Sequence, residues 1–103
     1  MTEEIYVVDA IAATLSRSRP PILGVTANGQ TTTPGWTHPT LSRTDYISPP
    51  ADGIQDFAFD ADRPASIVPE VLTPISASYE EISPAWLKGV RVRSATNTVV
   101  TLI

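Results

Sequence analysis

The chain has 103 residues and a formal charge of −4, with 42% hydrophobic residues, 17% charged residues and no cysteine. Lack of cysteine excludes disulfides, thiolate nucleophiles and cysteine-ligated zinc or iron–sulfur centres. One lysine and six dispersed arginines do not form the concentrated basic face that nucleic-acid binding requires.

This composition is too apolar and too weakly charged for a disordered chain, so a folded core is expected. The length fits a single domain over residues 1–103. Ten prolines are about twice the average usage of roughly 5%. They are scattered, which favours many short elements joined by turns over long helices. The N-terminus carries acids where a leader peptide would carry basic residues. The stretch "IYVVDAIAATL" is too short and too polar to span a membrane. A soluble, cytoplasmic protein is the expectation.

Taken in chain order, "EIYVVDAIAATL" supports both helix and strand. Its Ile-Tyr-Val-Val cluster favours strand, and Asp9 interrupts the face of Ile5, Val7, Ile11 and Ala13. "PILGVTA" reads as the next strand, closed by a tight hairpin turn at Asn28-Gly29, with "QTTTPGW" as the returning limb. "TLSRTDYIS" reads as a further strand, followed by a turn at "PPADG". "IQDFAFDA" alternates clearly: Phe57, Phe59 and Ala61 face one way, Asp56, Ala58 and Asp60 the other. That is a half-buried antiparallel strand. "VLTPISASYEEI" is a strand that Pro74 places at an edge. "LKGVRVRSA" puts Val90 and Val92 inward and Arg91 and Arg93 outward. Thr96-Asn97 makes a hairpin turn into "TVVTLI". That last strand has no charge and no proline to blunt a free edge. An inner position in its sheet is therefore expected, the alternative being an edge covered by another subunit.

About seven short strands spaced by turns, with no amphipathic helix, predict an all-β antiparallel sandwich, immunoglobulin-like in broad architecture. Trp36 and Trp86 are the natural large core fillers. The stretches "GWTHPTL", "PPADGIQDFAFDA" and "GVRVRSATN" give the chain a resemblance to a group of small bacterial β-sandwich proteins to which no activity is assigned. The resemblance spans roughly residues 24–97 and rests on turn and core residues. It implies a fold and transfers no catalytic residue.

The run "DGIQDFAFDADRP" places Asp52, Asp56, Asp60 and Asp62 close together. A strand rises about 3.3 Å per residue, so Asp56 and Asp60 lie roughly 13 Å apart. They cannot share a calcium ion, whose oxygens sit at about 2.3–2.6 Å. Nor can they act as a retaining-glycosidase pair, which needs about 5–5.5 Å. Asp60 and Asp62 become neighbours only if the chain bends after Ala61. A solvated row of carboxylates is the expectation, with no metal and no cofactor. His38 is the single histidine, so any Ser-His-Asp triad must use it. No nucleophile elbow, phosphate loop or zinc-protease motif accompanies it.

The leading functional expectation is a non-catalytic module working by protein–protein contact, either as a homo-oligomer or with another partner. The alternative is a small-molecule or carbohydrate-binding domain, for which Trp36, Trp86, Asp60 and Asp62 are the candidate ligand-binding residues. A hydrolase centred on His38 and a loop aspartate is the third. No nucleic acid and no membrane enter any of these.

Overall fold

The structure, a computed structural model, describes residues Thr2–Ile103. It contains eight strands: β1 (Thr2–Glu4), β2 (Val7–Leu15), β3 (Ile22–Thr31), β4 (Thr37–Arg43), β5 (Ile54–Asp62), β6 (Thr73–Ile82), β7 (Gly89–Arg93) and β8 (Thr98–Leu102). There is no helix among the described residues, and so none long and apolar enough to cross a membrane. The strands form two sheets packed as a β-sandwich. One runs β1-β5-β7-β8, with β4 also paired to β5; the other runs β2-β3-β6.

The strand expected at the N-terminus is split between the sheets. β1 pairs with the end of β5. The fully buried Ile5 then donates its N–H to the Phe59 carbonyl, and the chain crosses to the other sheet. Asp9 falls where the β2–β3 register shifts between Val8 and Ala10. A bulge there inserts one extra residue. It lets Val8 face the core before the bulge and Ile11 and Ala13 after it. This is why neither simple alternation fits "YVVDAIAA". Asp9 turns outward and accepts a hydrogen bond from Gln30 Nε2 at 3.0 Å.

Four expectations are corrected. The Asn28-Gly29 pair is not a turn. It lies inside β3, whose antiparallel register with β6 runs unbroken from Ile22↔Ile82 to Thr31↔Thr73. The sandwich is not wholly antiparallel: β5 and β7 pair in parallel, Ile54↔Gly89 through Ala58↔Arg93. The connection between them passes through β6 in the opposite sheet. Finally, β8 is not an inner strand. It pairs only with β7 and forms an edge. The expected strand over "TLSRTDYIS" also starts earlier, at Thr37, and ends at Arg43.

The core lies between the sheets. Phe57, Phe59, Ala61, Val90 and Val92 meet Leu23, Val25, Ala27 and Val8 from the facing layer. The Phe57 ring packs on Tyr79 of β6, with centroids 5.2 Å apart and tilted at 59°. Pro74 is at the edge strand β6, as proline in a sheet requires. Gln55 is the one large polar side chain fully buried beside the phenylalanines. Its Nε2 donates to the Thr44 carbonyl (2.8 Å) and the Asp56 carbonyl (3.0 Å). Thr44 follows the last residue of β4, so the amide serves a carbonyl just beyond that strand's end.

Candidate functional site

β5 is straight through Asp62, so its acids stand in a row on the outer face of the larger sheet. The bend after Ala61 that would bring Asp60 and Asp62 together does not occur. Each acid has its own partners. Asp56 is gripped by Arg91, its opposite in the parallel register: Nε donates to Oδ1, and Nη2 to Oδ2 at 3.1 Å. The Tyr46 hydroxyl donates to Asp56 Oδ2 at 2.7 Å and accepts the Asp56 backbone N–H at 3.0 Å. Asp60 accepts from Ser42 Oγ at 2.9 Å. Asp62 accepts from Thr2 Oγ1 at 3.3 Å and meets His38 Nδ1 at 3.1 Å. Asp9 and Asp45 do not join them. Asp9 is in the other sheet, and Asp45 pairs with Arg43. Among the described residues, no three acids or histidines are grouped to hold a metal ion.

The electrostatics follow from this. The Arg91 guanidinium holds the Asp56 carboxyl below the usual aspartate range; burial opposes it and the Tyr46 hydroxyl assists. Burial, then the hydrogen bond to Asp56, pushes the Tyr46 phenol up. A carboxyl depressed in the folded state stabilises fully above its unfolded value of about 3.9, and loses that contribution as pH falls through the folded value. Asp56→Asn should therefore cost about 1.5–3 kcal/mol at pH 7, the range for hydrogen bonds to a charged group. It should also flatten the loss of melting temperature below about pH 4 relative to the parent. Melting curves from pH 3 to 7 check this. An acid limb identical in the two proteins would remove Asp56 from the account.

His38 adopts φ 54° in β4, where the register with β5 slips between Thr37 and Thr40. Its side chain is 80% exposed. The pair with Asp62 has the geometry of a base and its orienting acid, but no hydroxyl of the described residues hydrogen-bonds His38. Ser42 and Thr2 are instead turned to the aspartates.

The two tryptophans lie at opposite ends of β5. Trp36 precedes Thr37, which pairs with Asp62. Trp86 approaches Gly53, beside Ile54. Eight residues of strand separate these ends by roughly 26 Å, so the tryptophans cannot form one platform. Trp36 is half-buried against the core, its ring N–H donates to Thr33 Oγ1 at 3.0 Å, and Arg63 lies over its face at 6.0 Å. Trp86 meets Tyr46 edge to face at 6.1 Å. The hollow beside it, lined by Arg43, Tyr46 and Pro49, is about 160 Å³, below the roughly 300–1,000 Å³ of small-molecule sites. A larger depression of about 490 Å³ between Thr32, Arg63, Ile67 and Glu70 includes neither tryptophan, nor Asp60 or Asp62. Sequence reasoning missed Asp56, Arg91 and Tyr46 as a unit, because only the parallel register brings Arg91 opposite Asp56.

The remaining site is an edge. Ser94 N–H bonds the Asn97 carbonyl, and Ile103 N–H bonds the Lys88 carbonyl. An antiparallel ladder alternates, so between those points Val99 and Thr101 bond β7, while Thr98, Val100 and Leu102 turn their N–H and C=O groups away. Val100 and Leu102 also expose their side chains, at 50% and 73%. No backbone hydrogen bond joins β8 to β2 among the described residues. The two are stitched only at one end, where Asn97 Oδ1 accepts from Val8 N–H at 2.9 Å and Nδ2 donates to the Val8 carbonyl at 2.8 Å.

The other edges are guarded. β4 carries Pro39, a register slip and Arg43, whose Nε reaches Glu81 of β6 at 3.0 Å and ties the two sheets along that side. β6 carries Pro74 and Glu80, β2 carries the Asp9 bulge, and β1 has three residues, two of them acidic. These are the ordinary means of preventing strand addition. β8 has none of them. No protein-family model, curated protein or solved structure matches this chain.

Proposed function

We propose that this chain is a non-catalytic interaction module that works by strand addition at the free edge of β8. One observation carries the reading: β8 alone among the edges lacks proline, charge and bulge, and it presents three residues' worth of unpaired backbone groups beside exposed Val100 and Leu102. In strand addition, main-chain hydrogen bonds supply affinity and alternate side chains supply selectivity. A ligand site built on Trp36, Trp86, Asp60 and Asp62 has less support, since Trp86 lies at the far end of β5 from the other three and Asp60 and Asp62 are engaged by Ser42, Thr2 and His38.

Val100→Pro tests the reading. The N–H at Val100 points away from β7, so proline there removes a donor from the free edge without breaking a bond within the sheet. A labelled peptide of residues 96–103 should bind the parent saturably. Binding should fall at least tenfold in Val100→Pro and in Val100→Lys, while both variants keep the parent's melting temperature within a few degrees. A peptide that binds all three proteins equally, or none of them, would overturn it.

A further inference from the structure

We infer that the partner at this edge is a second copy of the chain, joined β8 to β8 about a twofold axis that runs perpendicular to the sheet, midway between the two Val100 residues. The inference rests on the strand-addition reading and adds its occupant and register.

Three observations carry it. The first is the symmetry of the free groups. The residues that turn their backbone outward are Thr98, Val100 and Leu102, and they are centred on Val100. An antiparallel partner in that register places Val100 opposite its own copy and Thr98 opposite Leu102. Each opposed pair exchanges both hydrogen bonds, so every free group on the edge is used. Sliding by one residue would set Val99 and Val100, which face opposite sides of the sheet, across from one another, and two-residue pleating forbids that.

The second observation is charge. The molecule carries −4, so a face that meets its own copy must be free of acids. No charged side chain follows Arg93, and outward contacts in this register are Val100 on Val100 and Thr98 on Leu102. Asp9 follows Val8, which is held by Asn97 at one end of the seam. The twofold axis sends the two copies of Asp9 to opposite ends.

The third is extent. β8 has five residues, a span of roughly 17 Å, so a seam of that strand alone is short of the about 800 Å² per partner that a stable interface needs. A twofold axis perpendicular to the sheet puts the smaller sheets of both copies on one side. β2 then meets the partner's β2 beneath the β8 seam, and the contact is two layers deep.

The chain has no cysteine, so single cysteines report the register. In the paired strands, Val100 lies about 5.5 Å from its copy, Cα to Cα, within the roughly 4.4–6.8 Å that a disulfide spans. Thr98 lies about 13 Å from its copy, which no disulfide spans. Mild oxidation should cross-link most of Val100→Cys and little of Thr98→Cys, whereas a mixture of Thr98→Cys and Leu102→Cys should cross-link. Light scattering on the parent between 10 and 200 µM should give twice the chain mass, and Val100→Lys should give the single mass.

A single mass for the parent, with the 96–103 peptide still bound, would overturn the self-partner and leave strand addition standing. Failure of both would remove both readings. A double mass that survives Val100→Lys and Val100→Pro, with no Val100→Cys cross-link, would place the dimer contact elsewhere and overturn the proposal.

Discussion

Phe59→Ala should destabilise the domain by about 3–5 kcal/mol, the usual loss for a buried phenylalanine, and Phe57→Ala by a similar amount. Both side chains are essentially inaccessible. β5 is the most connected strand: β4 lies along one side, and β7 and β1 share the other. Phe59 is opposite Leu41 of β4, and its carbonyl receives the Ile5 N–H at the point where the first strand changes sheets. Phe57 is opposite Val92 and stacks on Tyr79 of the facing sheet. Neighbours held in two sheets cannot collapse into the space left, so the cavity persists and adds to the lost transfer energy. A domain of this size has about 5–15 kcal/mol in total, so either variant loses a large share. The melting temperature should fall by roughly 12–40 °C, since each 1 kcal/mol corresponds to about 4–8 °C. Urea unfolding measures the difference directly. A midpoint shift equivalent to under about 1 kcal/mol would mean that these rings do not hold the sheets together.

The sequence was most legible where a period of two ran undisturbed. Phe57, Phe59 and Ala61 alternate with Asp56, Ala58 and Asp60, and the structure buries the first set. Val90 and Val92 do the same on β7, the turn before Thr98 is where Thr96-Asn97 suggested, and Pro74 marks an edge. Legibility failed where the answer depended on a distant segment. The parallel pairing of β5 with β7 has no local signature, because it is made by a connection through the other sheet. With it went Asp56 and Arg91, which look like unrelated surface charges until the register sets them opposite one another. β8 was misplaced for a related reason. A strand without charge or proline fits an inner position as well as an unguarded edge, and composition alone cannot separate the two. For the candidate acids, strand geometry reached only the spacing of Asp56 and Asp60, four residues apart on one face of β5. That Asp60 is taken up by Ser42, and Asp62 by His38 and Thr2, is information held by β4 and β1. Trp36 and Trp86 could be separated only once the direction of β5 was known.

Gly29→Ala should cost roughly 3 kcal/mol or more, and Gly29→Val more still, while Asn28→Ala should cost under about 1 kcal/mol. The pair is a turn signal in isolation, and a turn would make the opposite demand, with both residues needed for their left-handed backbone. In the structure Gly29 is buried within β3, opposite Ile75 on one side and Val8 on the other. A Cβ added there would strike the Val7 carbonyl oxygen and come within 2.6 Å of Ile5 Cδ1. The obstacle is backbone at the point where the first strand crosses between sheets, next to the bulge around Asp9, so no rotation of a flexible side chain relieves it. Moving Val7 would in turn strain Val8, which Asn97 holds by both its N–H and its carbonyl. Glycine is therefore required for close approach. Asn28, by contrast, faces outward on the same strand, pairs across to Ser76 and Ala10, and donates or accepts no hydrogen bond through its side chain among the described residues. Stability of the three variants by urea unfolding decides between strand and turn. If Asn28→Ala proved as costly as Gly29→Ala, the segment would be behaving as a hairpin turn, and the continuous β3 that aligns β2 against β6 would not exist.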